Sequence, residues 1–183
     1  MYKITAKRLE LLHDLVPGAS VIGLLVNPAN SYATFEVADT KVAADALGLQ
    51  LYVVNAIKEV ELDAALANFV DKRISALLVG ADVIFIPWRD HFVALAARYK
   101  LPISYGYRDF VAAGGLMSYS TNRADAYRHV GIYTARILKG ENPANLPVYL
   151  PAKFELVINL KAAKAIDLDL STAILLRADE VLE

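Results

Sequence analysis

The run at 20–26, continuously apolar after Ser20 rather than alternating, constrains this chain most, and further strand-like runs follow at 51–54, 76–79 and 102–105. A strand with one wet face alternates apolar and polar side chains. An unbroken run indicates burial on both faces, as in a parallel sheet covered by helices. Successive runs begin about 25 to 30 residues apart, roughly the length of one β-loop-α-loop unit. The pattern predicts an α/β fold, a doubly wound, mostly parallel sheet forming a Rossmann-like three-layer sandwich with right-handed crossovers. The units are structural; no sequence repeat accompanies them.

The segments between the runs have helical spacing. Leu9, Leu12 and Val16 share one face of a helix from Lys7 that ends at Pro17 and Gly18. The turn from Asn27 to Ser31 opens a helix that runs to about Leu47 and closes at Gly48. Helices are also predicted over 59–72, with Leu62, Leu66, Phe69 and Val70 apolar, and over 88–100. Beyond Tyr105 the rhythm changes. A short helix ends at Gly114 and Gly115, a strand covers 116–120, and Asn122 caps a helix to Leu138 that Gly140 terminates. Pro143, Pro147 and Pro151 make 142–151 an extended connector. A strand over 154–159, a helix from about Lys161 and a turn capped by Ser171 complete the chain.

Composition excludes several function classes. The 183 residues are 56% hydrophobic and 21% charged, enough for a packed core in one domain. With 19 basic and 20 acidic residues the formal charge is −1, so no basic face suggests nucleic acid or an anionic membrane. There is no cysteine, hence no disulfide, thiolate metal site or cysteine nucleophile. His13, His91 and His129 are scattered without metal-ligand spacing, so neither a metal nor a cofactor is expected. No nucleophile elbow, P-loop or dinucleotide fingerprint follows a predicted strand. The acidic group Glu59, Glu61 and Asp63 fits the first turn of a helix, where the dipole favours it.

Three later stretches, Ala-Gly-Gly-Leu-Met-Ser-Tyr (113–119), Lys-Phe-Glu-Leu-Val-Ile-Asn-Leu-Lys (153–161) and Leu-Leu-Arg-Ala-Asp-Glu-Val-Leu-Glu (175–183), carry a family resemblance. They stand in order behind the helix around Leu9 to Leu12, the segment 25–30 and Asp82. Together these motifs resemble the solute-binding proteins of ABC importers, whose better-known members look like tryptophan or tyrosine binders. The resemblance implies one lobe of a type I periplasmic-binding fold, the second of two. Residues 1–118 and 146–183 would form its core, and helix 122–140 would belong to the missing first lobe. It implies a small amino-acid-like or aromatic carboxylate ligand, a permease partner and an extracytoplasmic place for the complete receptor. Residues 1–5 read as no signal peptide, so the chain as written is expected to be truncated and cytoplasmic. The uncovered face of 122–140 predicts a homodimer. The competing readings are a Rossmann-like enzyme of unknown reaction and a remnant without binding function.

Ligands of open α/β sheets sit at the carboxyl ends of the strands. Here those ends hold Asn27, Asn30 and Ser31 after the first run, Asp82 after the third, and Tyr105 and Tyr107 after the fourth. Asn30 or Ser31 either caps the following helix or meets a ligand carboxylate at its N-terminus. Asp82 either pairs with a ligand amine, caps the next turn, or pairs with Arg89 or Arg108. Tyr105 and Tyr107 make an aromatic wall with polar tips, or pack in the core. Trp88 starts a helix and covers hydrophobic surface.

Overall fold

A computed structural model of the chain describes residues 4–183. The reading of the first five residues as lacking an export signal therefore falls partly outside the described residues. The chain opens with helix α1 (Ile4–Leu15), whose Leu9, Leu11, Leu12 and Leu15 are buried. It then alternates: β1 (Val21–Val26), α2 (Ala33–Ala46), β2 (Gln50–Asn55), α3 (Leu62–Asp71), β3 (Ala76–Val79), α4 (Arg89–Tyr99) and β4 (Ile103–Tyr105). A 3-10 turn (Val83–Trp88) joins β3 to α4. After α5 (Arg108–Ala112) come β5 (Met117–Thr121), α6 (Arg123–Leu138), β6 (Phe154–Asn159), α7 (Leu160–Ala165), α8 (Thr172–Leu175) and β7 (Glu180–Leu182).

The seven strands form one sheet in the order β2-β1-β3-β4-β5-β6-β7. Neighbours are parallel except β5 and β6, which pair antiparallel from Met117 opposite Ile158 to Thr121 opposite Phe154. Between these two strands the chain runs through α6 and the connector at 142–151. Both faces are covered. Ile22, Leu24, Ala76, Leu78, Met117 and Ile158 pack towards α1, α2 and the C-terminal helices. Leu25, Leu77, Val79, Ile103 and Tyr105 pack towards α3 and α4. The expected three-layer α/β sandwich is present.

Two features stand at the edges of the sheet. The run at 51–54 is a strand of the parallel sheet, as expected, but β2 is its edge strand and its residues are exposed or half-buried. Tyr52 packs edge-on against Phe69 at 6.3 Å, and its partner β1 lies on one side only. The short β7, paired with β6, extends the sheet by a strand that three residues of mixed character did not announce.

Helix α6 is placed differently from the others. Asn122 caps it, accepting from the Asp125 N–H at 2.6 Å, yet none of its residues is buried. Tyr127, Val130, Ile137 and Leu138 are exposed along it. The connector is strapped to this helix rather than to the sheet. Tyr149 stacks on His129 with centroids 3.8 Å apart and donates to the Asp125 carboxylate at 2.8 Å, and Tyr133 donates to the Pro147 carbonyl at 2.8 Å.

Gly115 marks the tightest packing. A Cβ there would lie 2.6 Å from the Tyr105 ring and 2.8 Å from the Phe110 carbonyl oxygen, and that backbone atom cannot turn aside. Gly115→Ala is expected to cost about 1–3 kcal/mol, the usual range for overpacking. Gly18→Ala, where nothing lies within 4 Å, should stay within about 0.5 kcal/mol of the parent. Denaturant unfolding of both variants checks this; equal stability would show that the Tyr105–Gly115 contact yields freely.

Candidate functional site

The carboxyl ends of β1, β3 and β4 open into three loops, and two polar clusters hold these loops together. The first cluster joins the β1 and β3 loops. Asn27, at the end of β1, accepts from the Ala29 N–H at 3.0 Å and donates to Asp82 Oδ2 at 2.8 Å. Asn30 accepts from the Tyr32 N–H at 2.9 Å and donates to the same Oδ2 at 2.9 Å. The other carboxylate oxygen of Asp82 accepts from the Ile84 N–H at 3.0 Å and caps the 3-10 turn. Burial disfavours the charged form of Asp82. The hydrogen bonds from Ile84, Asn30 and Asn27 outweigh it and hold the carboxyl below its ordinary range.

The open choices of the sequence reading are thereby narrowed. Asp82 caps its turn, whereas Arg89 lies against Ile86 and Asp90, and Arg108 grips Glu180 at 2.8 and 2.5 Å. Neither Asn30 nor Ser31 is the N-cap of α2. That position is Tyr32, without a side-chain cap, and Ser31 is exposed. Tyr105 is not on the surface. It points into the α4 side of the sheet, is fully buried and stacks on Phe110 at 4.5 Å. This takes Tyr105 out of the expected aromatic wall: successive residues of β4 face opposite layers, and Tyr105 shares the α4-side layer with Ile103. Tyr107, two residues on, is half-buried and its hydroxyl donates to the Ala81 carbonyl at 3.3 Å.

The second cluster lies beneath the same edge and was not singled out from the sequence. Arg8 reaches from α1, 1% exposed, and its Nη2 donates to the Val79 carbonyl at 2.5 Å and the Ser104 carbonyl at 2.8 Å. Glu36 of α2, 3% exposed, stands with Oε1 3.6 Å from Arg8 Nη1 and accepts from the Ala81 N–H at 3.1 and 3.3 Å. Burial pushes the guanidinium's pKa down, against the opposing pull of Glu36 and Tyr107. The available signal was a charge inside an apolar stripe: Arg8 lies one residue before Leu9 and four before Leu12.

Between these clusters and β5 is a cavity of about 240 Å³, lined by Thr5, Arg8, Tyr32, Gly106, Tyr107 and Tyr119 with Arg123 beside them. Larger depressions lie elsewhere. One of about 360 Å³ is crossed by the pairs Arg108–Glu180 and Arg123–Asp109, and one of about 430 Å³ lies beside β2. The smaller cavity lies past the carboxyl ends of β3 and β4 in the middle of the sheet, at the edge where this architecture binds ligands. Among the described residues no group of three or more His, Cys, Asp or Glu could hold a metal ion, and no helix is long and apolar enough to cross a membrane.

Since the folded pKa of Asp82 is depressed, its contribution is complete above the unfolded value and fades as pH falls through the folded one. Asp82→Asn is therefore expected to destabilise most at neutral pH, by about 1–3 kcal/mol. The gap to the parent should close below about pH 4. Denaturant unfolding at several pH values measures it; a pH-independent gap would mean that the carboxylate's charge is immaterial.

The chain matches the family model of the ABC transporter substrate binding protein over residues 2–182. It is 27% identical over 169 residues to the tyrosine-binding protein of Clostridioides difficile, covering 88% of this chain and 47% of that protein. Among solved structures it superposes with a TM-score of 0.87 on a conserved domain protein of Vibrio cholerae, at 23% identity, covering 97% of this chain and 60% of that one. The TM-score is also 0.87 with an ABC domain from Streptococcus pneumonia in complex with L-Trp, at 24% identity, covering 98% of this chain and 60% of that one. These two likenesses show the fold, that of type I periplasmic-binding lobes. The chain thus spans about half to three-fifths of the length of the relatives it matches. With the family model matched along nearly its whole length, the chain belongs to the ABC transporter substrate-binding proteins.

Proposed function

We propose that this chain is the second lobe of an extracytoplasmic solute receptor for an ABC importer, and that it contacts a small amino-acid-like or aromatic carboxylate. The observation that carries this reading is the open cavity at the strand ends, walled by Tyr32, Tyr107 and Tyr119 and reaching Ala81, the residue before Asp82 of the Asn27–Asn30–Asp82 cluster. Tyrosine rings offer flat apolar area with a polar tip, which suits an aromatic amino acid. Asn27, Asn30, Ser31 and Tyr107 are the candidate contacts, with Asp82 orienting both amides and leaving little capacity for a ligand amine. Binding is reversible capture: a facing lobe closes by a hinge over this edge, and a permease reads the closed form. The tyrosine-binding and L-Trp-bound relatives support the same ligand class.

The face of α6 has a place in this reading. In a two-lobed receptor the helix over 122–140 lies against the first lobe. In this chain by itself a second copy covers Tyr127, Val130, Ile137 and Leu138, which are all exposed.

Two outcomes are expected. L-tryptophan or L-tyrosine should raise the melting temperature while L-lysine does not. A ligand at ten times its Kd contributes about 1.4 kcal/mol, roughly 3–6 °C for a chain of this length. No shift with either aromatic amino acid up to its solubility limit would sink the ligand assignment. Light scattering should give twice the 20.0 kDa chain mass, and Val130→Asp with Leu138→Asp should return the monomer. A parent that stays monomeric at all concentrations would remove the homodimer.

A further inference from the structure

Arg8 holds more hydrogen-bonding capacity than the fold uses. A guanidinium carries five N–H donors. The two on Nη2 go to the Val79 and Ser104 carbonyls. Nη1 and Nε, with the other three, are buried and have no hydrogen-bond partner. Glu36 does not satisfy them. Its nearest oxygen is 3.6 Å from Nη1, beyond hydrogen-bond length, and both its oxygens accept from the Ala81 N–H. Buried donors left unmatched are costly, so an arginine arranged this way beside a cavity is unfinished without an acceptor.

The acceptor can arrive from one side. Arg8 lines the cavity, and Gly106 stands in the wall beside Nη1. Nη1 is itself covered, and a Cβ on Gly106 would lie 3.5 Å from it, so the glycine keeps a side chain off the wall between that nitrogen and the cavity. We propose that Arg8 is the anchor for the ligand's carboxylate, which enters this cavity and accepts from the free guanidinium donors between the tyrosine walls. The inference rests on the receptor reading above and assigns the end of the ligand that this lobe holds. Glu36 beside Arg8 leaves the pair with no net charge, which suits one carboxylate held by desolvated, charge-assisted hydrogen bonds better than a phosphate or other polyanion. A volume of about 240 Å³ has room for the carboxyl end of an aromatic amino acid, with its remainder reaching out towards the facing wall of a cleft.

Calorimetric titration of the 183-residue chain with L-tryptophan, L-tryptophanamide and indole-3-propionate tests the assignment. The two carboxylates should bind, and the amide should bind at least tenfold more weakly. Arg8→Gln should erase that preference, and Arg8→Lys should restore part of it. Both variants require a cooperative melt. Because Arg8→Gln leaves Glu36 buried without its partner, it could unfold the chain. In that event the parent decides: the Arg8 Nε–H resonance should shift with indole-3-propionate and stay unmoved by the amide. Equal binding of acid and amide overturns the anchor and leaves the receptor reading standing. A preference that survives in Arg8→Gln, or an unmoved Nε–H resonance, also overturns the anchor and puts the carboxylate elsewhere. If none of the three compounds binds, the anchor and the receptor reading fall together.

Discussion

A guanidinium with almost no access to water holds the strand-end edge of this fold together. Arg8 sits on the first helix and closes two carbonyls, Val79 and Ser104, that follow it by 71 and 96 residues. Those carbonyls stand at the ends of β3 and β4, where the loops carrying Asp82 and Tyr107 begin. Glu36 performs the matching task from α2, fixing the Ala81 N–H directly before Asp82. Charges buried this deeply cost several kcal/mol each unless paired, and removing one partner of such a pair typically costs about 3–5 kcal/mol. The position of each loop therefore depends on a helix that belongs to neither of them. The Asn27–Asn30–Asp82 cluster is built on that base.

The layers of the fold were legible because hydrophobic burial acts locally on the sequence. Apolar runs marked β1, β3 and β4, and cap residues such as Asn122 and Ser171 stood where the helices start. Position in the sheet was not legible. The run at 51–54 is as apolar as its neighbours, but β2 has a partner on one side only. Nothing in those four residues states which strand will be the edge. Likewise β7 is three residues whose assignment depends on β6 lying beside them.

The site was half legible for the same reason. Strand-end residues follow from the β-α count, so Asn27, Asn30, Asp82 and Tyr107 fall at one edge of the sheet, as expected. Which way each one points does not follow. Tyr105 and Tyr107 differ by two positions, but Tyr105 ends β4 inside a layer, while Tyr107 lies past the strand and turns outward. Arg8, Glu36 and Tyr119 escaped because their roles depend on contacts between elements far apart in sequence. An amphipathic pattern reads a charge as solvent-facing unless its place on the apolar stripe is weighed.

The two halves of the structure differ in how far they are finished. At the strand ends, side chains are fixed before any ligand arrives. Asp82 aligns two amides, Arg8 is clamped by carbonyls, and Tyr107 is held to Ala81. A surface fixed in this way has little side-chain conformational entropy left to lose when something binds to it. Helix α6 shows the opposite condition. It is tied to its own connector through Tyr149, His129 and Tyr133, so its orientation is defined, yet its apolar residues cover nothing in this chain. Exposed apolar side chains at helical spacing on a fixed support indicate a face shaped for another surface rather than a poorly folded segment. A polar edge fixed through Arg8 and an apolar helix fixed through its own connector are thus two surfaces of defined shape that the chain leaves open.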